Sequence, residues 1–91
     1  MSTFLYQGVS RGGSITAGGT PQTVAAANKS RRGITFQNTS DTDMWLTETG
    51  ETPAVGTGFK ITAGASAEVT TNQIIKVYCV TTGKTFAATE Y

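Results

Sequence analysis

From Gln22 to Tyr91, β-branched and aromatic residues recur in short runs, each broken by a cluster of Gly, Asn, Asp or Pro. That rhythm constrains the fold more than any other feature. A helix needs apolar residues three and four positions apart over several turns, which no window supplies, and Thr and Gly are too abundant for stable helices. A half-buried strand needs only alternation. Arg32 to Asn38 has it: Ile34 and Phe36 face one way, Thr35 and Gln37 the other. The pattern predicts an all-β chain, a small antiparallel β-sandwich or barrel with an extended N-terminal arm.

The turn chemistry divides the body further. Asn38 to Asp41 reads as a turn, because Asn, Ser and Asp side chains bond to nearby backbone, and Met44 to Thr47 as the strand that follows, with Trp45 opposite Met44 and Leu46. A hairpin of these two strands is expected. Gly50, Pro53, Gly56 and Gly58 make Glu48 to Gly58 an exposed loop. Phe59 and Ile61 then pair through an Ala63-Gly64-Ala65 turn with Ala67 and Val69, a second expected hairpin. Ile74 to Thr81 is apolar on both faces and therefore central. Thr82-Gly83 turns the chain, and Lys84 to Tyr91 returns with Phe86 and Ala88 on one face. The expected core is Ile34, Phe36, Leu46, Phe59, Ile61, Val69, Ile75, Val77 and Phe86, with Cys79 as a small buried apolar residue.

Ahead of the body, residues 10 to 22 hold Gly12, Gly13, Gly18, Gly19 and Pro21 with almost no apolar content. Such a stretch buries too little to repay its ordering entropy, so it reads as a flexible or extended connector. The expected division is residues 1–22 as arm and Gly-rich linker, and residues 23–91 as β-sandwich body. Phe4, Leu5 and Tyr6 form a β-prone patch suited either to anchoring on a partner or to a first strand of the chain's own sheet. An extended leader of some twenty residues would reach about 60 Å.

Charge follows the same division. Residues 1 to 32 carry Arg11, Lys29, Arg31 and Arg32 and no acid, whereas the remainder carries Lys60, Lys76 and Lys84 against Asp41, Asp43, Glu48, Glu51, Glu68 and Glu90. Two readings fit: a solvated leader, or an arm that docks on an acidic protein surface. Nucleic acid is not expected as a partner, because an acidic body repels phosphate and no dense Lys/Arg run is present.

Catalysis fares poorly on the same inventory. With no histidine and one cysteine in 91 residues, a Cys/His zinc site and a His-based nucleophile triad are both out of reach, and no internal disulfide can form. The pairs Asp41/Asp43 and Glu48/Glu51 have the types needed for two-carboxylate hydrolysis or calcium, but the first suits a turn and the second a solvated loop. The glycine pairs lack the following helix that a phosphate loop needs. No enzyme activity, cofactor or metal is expected. Trp45 and Tyr78 have the character of a sugar-stacking platform, although a lone Trp in a small sandwich more often belongs to a core or subunit interface. No apolar run is long enough to span a bilayer and the N-terminus has no signal-peptide pattern, so synthesis in the cytoplasm without a membrane partner is expected.

Ser30-Arg31-Arg32-Gly33-Ile34-Thr35-Phe36-Gln37-Asn38, Asp41-Thr42-Asp43-Met44-Trp45-Leu46 and Thr81-Thr82-Gly83-Lys84-Thr85-Phe86-Ala87-Ala88-Thr89-Glu90 together resemble small β-rich virion proteins of tailed bacteriophages. The resemblance covers about residues 28 to 91. It implies a structural component of the particle: a capsid decoration or cement protein, or a head-fibre or tail part. On that reading the major capsid protein is the partner, met through Phe4, Leu5, Tyr6, Arg11, Lys29, Arg31 and Arg32, with Trp45 and Tyr78 as a further binding surface. A chain of this size buries only about 60–65% of its unfolded surface, so a homo-oligomer, with a trimer favoured, would complete its stability.

Overall fold

In the computed structural model, residues 8–91 are described. They contain strands and turns and no helix, in the order β1 (Val9–Ser10), β2 (Gly13–Ser14), β3 (Gln22–Ala25), β4 (Ile34–Asn38), β5 (Met44–Thr47), β6 (Phe59–Ile61), β7 (Ser66–Val69), β8 (Ile75–Tyr78) and β9 (Thr85–Glu90). Two antiparallel sheets result. The first runs β1-β9-β4-β7, with β2 also pairing β9, and the second runs β3-β8-β5-β6. The chain is an all-β sandwich, as the alternation of its sequence predicts.

The alternation is what closes the core. Along β9, Phe86, Ala88 and Glu90 are buried and Thr85, Ala87 and Thr89 exposed; along β4, Ile34, Phe36 and Asn38 are buried. Phe36 and Phe86 stack with centroids 5.3 Å apart. From the other sheet Met44, Leu46, Ile75 and Val77 meet them, each fully buried. The expected core is present with one exception. Phe59 is 54% exposed, because β6 is an edge strand and only its far end, Ile61, reaches beneath the first sheet. Cys79 is buried, and β8 lies between β3 and β5, so the central placement of that run holds.

The hairpins do not form. β4 pairs with β7 and β9, whereas β5 pairs with β6 and β8, so the turn at residues 39–43 carries the chain from one sheet to the other. The turns at residues 62–65 and 79–84 likewise cross between sheets. Asn38 fixes the first of these crossings. Its amide nitrogen donates to the carbonyls of Thr42 (2.7 Å) and Ile61 (2.9 Å), while its oxygen accepts from the Ser40 backbone N–H (3.0 Å) and hydroxyl (2.7 Å). One buried side chain thus ties the end of β4 to β6 in the opposite sheet.

The segment expected to be a linker is also different. Val9–Ser10 and Gly13–Ser14 pair in tandem along β9, and Ile15, 1% exposed, belongs to the core. Backbone bonds of 2.8 Å from Arg11 to Ala88, Ile15 to Lys84, Gly83 to Ile15 and Gly19 to Cys79 stitch the segment down. Gly18 lies so close that an added Cβ would stand 2.6 Å from the Val80 carbonyl oxygen. Gln22 completes the loop by donating to Ser14 O at 2.9 Å and accepting from Thr16 N–H at 3.0 Å. One large apolar residue and a sheet edge offering free hydrogen-bonding groups suffice to order a stretch whose composition reads as a connector. Residues 8–22 are therefore part of the sandwich, and the expected body boundary at residue 23 moves back to residue 8 at least. Phe4, Leu5 and Tyr6 lie outside the described residues.

Candidate functional site

The cations assigned to partner binding divide on burial. Arg31 is 5% exposed and its guanidinium is fully engaged. Its Nη1 donates to Glu90 at 2.6 Å and to Ala26 O at 2.9 Å, its Nε donates to Thr71 O at 2.8 Å, and its Nη2 bonds Gln73 O. An arginine so enclosed cannot meet a partner. Its role is to hold the 26–31 and 71–73 loops against the last strand, which corrects its assignment as a contact residue. Arg11 joins from the outside, its Nη2 2.9 Å from the other Glu90 oxygen.

Glu90 is accordingly a buried carboxylate gripped by two guanidinium groups. Burial pushes its carboxyl upward, but the hydrogen bonds from Arg31 and then Arg11 outweigh that and hold it below the usual glutamate value. Of the cationic set, Lys29 and Arg32 remain exposed, together with the half-exposed Arg11. A groove of about 340 Å³ runs between Arg31, Arg32, Thr70, Thr71 and Asn72, but the buried arginine turns its donors inward.

The acids considered for chemistry are dispersed. Asp41 accepts from Lys84 Nζ at 2.7 Å and from the Thr42 hydroxyl at 3.0 Å, which together hold its carboxyl below the ordinary value. Asp43 pairs with Lys60 at 3.4 Å. Glu48 and Glu51 line a separate groove of about 240 Å³ beside Leu46 and the exposed ring of Phe59. Among the described residues, no three Cys, Asp or Glu side chains converge as metal ligands would.

Trp45 and Tyr78 do come together. They are direct cross-strand partners on β5 and β8, and both point away from the core, opposite the buried Met44, Leu46 and Val77. Lys60 on β6 faces Trp45 from the other side, its ammonium 5.8 Å from the ring centroid. Lys76, two residues before Tyr78, shares the same outward face and pairs in register with Thr47 and Thr23. Trp45 as an outward residue was legible from alternation; Tyr78, in a run apolar on both faces, was not, nor were Lys60 and Lys76 beside them, whose neighbours are set by strand order rather than by spacing along the chain.

The fold and this face define a two-sheet antiparallel β-sandwich with an aromatic and cationic outer surface. No protein-family model, curated protein or solved structure matches the chain.

Proposed function

We propose that this chain is a structural protein of a tailed-bacteriophage particle, a capsid decoration or cement subunit that binds the major capsid protein and assembles as a homo-oligomer, with a trimer favoured. It works by fitting surface to surface and has no reacting group of its own. Support comes from the sequence resemblance and from one structural observation: both sheets are open. Their edges, β7 and β1/β2 in one and β3 and β6 in the other, carry backbone groups and apolar side chains that a lattice neighbour would cover, with Val9 at 45% and Phe59 at 54% exposure.

Packing of residues 8–22 on the body changes how such a subunit would reach a neighbour. Phe4, Leu5 and Tyr6 stand two to four residues before Gly8, within about 14 Å along the chain, so contacts through them would adjoin the β1 edge. Arg11, Lys29 and Arg32 are the described cations that would join Phe4, Leu5 and Tyr6 there. The test is co-sedimentation with phage heads lacking this subunit. The full chain is expected to bind and a chain lacking residues 1–7 to remain folded without binding. Binding that survives the deletion refutes the leader, and a full chain that stays in solution refutes the capsid role.

A second reading, a receptor- or glycan-binding module on the virion surface, is favoured by the pairing of Trp45 with Tyr78 on an outward face.

A further inference from the structure

The outer face of the β3-β8-β5-β6 sheet is built in two rows. Lys60, Trp45 and Tyr78 form one across three strands, and Thr47, Lys76 and Thr23 form the other. With strands about 4.8 Å apart, the first row spans about 10 Å, the scale of two linked sugar rings. Thr47 is covered, its hydroxyl donating to Glu51 O at 2.6 Å, so the 48–58 loop walls one side of the face. Thr23 is exposed on the other side.

We propose that the Trp45–Tyr78 pair and its flanking Lys60 and Lys76 bind an acidic saccharide, a sugar chain bearing carboxylates. The inference rests on the glycan-binding reading and is independent of mounting on a capsid. A pyranose presents a face of C–H groups that stacks on the negative face of an aromatic ring, which the paired rings supply. The Lys60 ammonium lies over the Trp45 ring, 5.8 Å from its centroid, and Lys76 stands two residues from Tyr78 on the same outward face, so both cations adjoin the rings. The Lys76 ammonium makes no hydrogen bond or ion pair among the described residues, and the residue is half-buried. A cation held in place without an acid complements an incoming carboxylate. Lys60 is 50% exposed and its bond to Asp43 is long, so a ligand can draw it from its position near the Trp45 ring.

Charge count separates this ligand from a nucleic acid. Two cations, one of them shared with Asp43, would neutralise about two phosphates at most, too few for the multi-phosphate contacts on which nucleic-acid affinity depends. A saccharide stacks and needs only one or two ionic contacts.

Trp45 is the sole tryptophan, so its fluorescence reports directly on the face. The intact chain is titrated with trigalacturonate, a hyaluronan tetrasaccharide and sialyllactose, with the methyl ester of trigalacturonate as the uncharged match and oligothymidylate as the nucleic-acid competitor. At least one acidic sugar is expected to shift the emission saturably. Lys76→Gln and Lys60→Gln are expected to weaken it tenfold or more with unchanged circular dichroism, and Lys29→Gln, off the face, to leave it intact. For a responding trigalacturonate, the ester is expected to bind at least tenfold more weakly. An ester that binds equally well, or a response indifferent to both lysine substitutions, overturns the acidic class and leaves the glycan reading standing. Tighter binding of oligothymidylate than of every sugar overturns the saccharide. No response at about 10 mM, where even a millimolar site fills, overturns both the inference and the glycan reading.

Discussion

Two buried polar residues carry more of this structure than their number suggests. Glu90 is 4% exposed and opposite Arg31, so removing its charge leaves an enclosed guanidinium uncompensated. Glu90→Gln is expected to lower stability by about 3–5 kcal/mol, and Arg11→Gln, whose partner contact is half-exposed, by less than about 1 kcal/mol, both read by urea denaturation. The pH dependence has a definite sign. A carboxyl held below its ordinary value contributes stability that is present above that value, near 4.5, and lost as the pH falls through the lowered native value. The stability gap between the native chain and Glu90→Gln should therefore be full at neutral pH and shrink below about pH 4. Asn38→Asp replaces a two-donor amide with an acceptor facing the carbonyls of Thr42 and Ile61, and an unmade buried bond of this kind costs about 1–3 kcal/mol. The local turn bonds of Asn38 to Ser40 and Thr42 were legible beforehand, but its tie to Ile61 and the buried role of Arg31 were not. Arg31 read as one of four leader cations, and the cross-sheet bond of Asn38 was hidden, because Glu90 and Ile61 lie 59 and 23 residues away.

Strands were legible where alternation is strict, and their pairing was not. β4, β8 and β9 stand where Ile34/Phe36, Ile75/Val77 and Phe86/Ala88 place them. A short polar link between two strands suits a hairpin and a crossing between sheets alike, and the choice is made by which faces pack, which sequence spacing does not encode. β1 and β2, of two residues each, fall below any periodic signal. Their anchor is Ile15. Ile15→Ala should cost about 2–5 kcal/mol in thermal or urea unfolding, as a core truncation does, whereas a linker residue would cost almost nothing. Immediately before β6, Gly58 has φ +104° and its added Cβ would meet the Leu46 carbonyl oxygen at 2.5 Å. Gly58→Ala is expected to lose about 1–3 kcal/mol and to shift the 48–58 loop that walls the aromatic face.

As a whole, the molecule is a sandwich whose first described residues are structural, leaving its outer faces and open edges as the described surfaces on which the proposed contacts would be made. The composition that excluded histidine-based chemistry and pointed to a binding role also concealed this, since a glycine-rich stretch reads as flexible until a sheet edge is available to hold it. Light scattering should find an oligomer, a trimer being the mass expected, if neighbours complete the exposed edges; a monomer at micromolar concentration would remove that part of the proposal. The account of one sandwich that begins at Gly8 depends on residues 8–19 being packed rather than reaching outward. Amide hydrogen exchange of the intact chain tests this most directly. The Arg11, Ile15 and Gly19 amides, bonded to Ala88, Lys84 and Cys79, are expected to exchange as slowly as neighbouring β9 amides. Exchange at the rate of an unstructured peptide would contradict it.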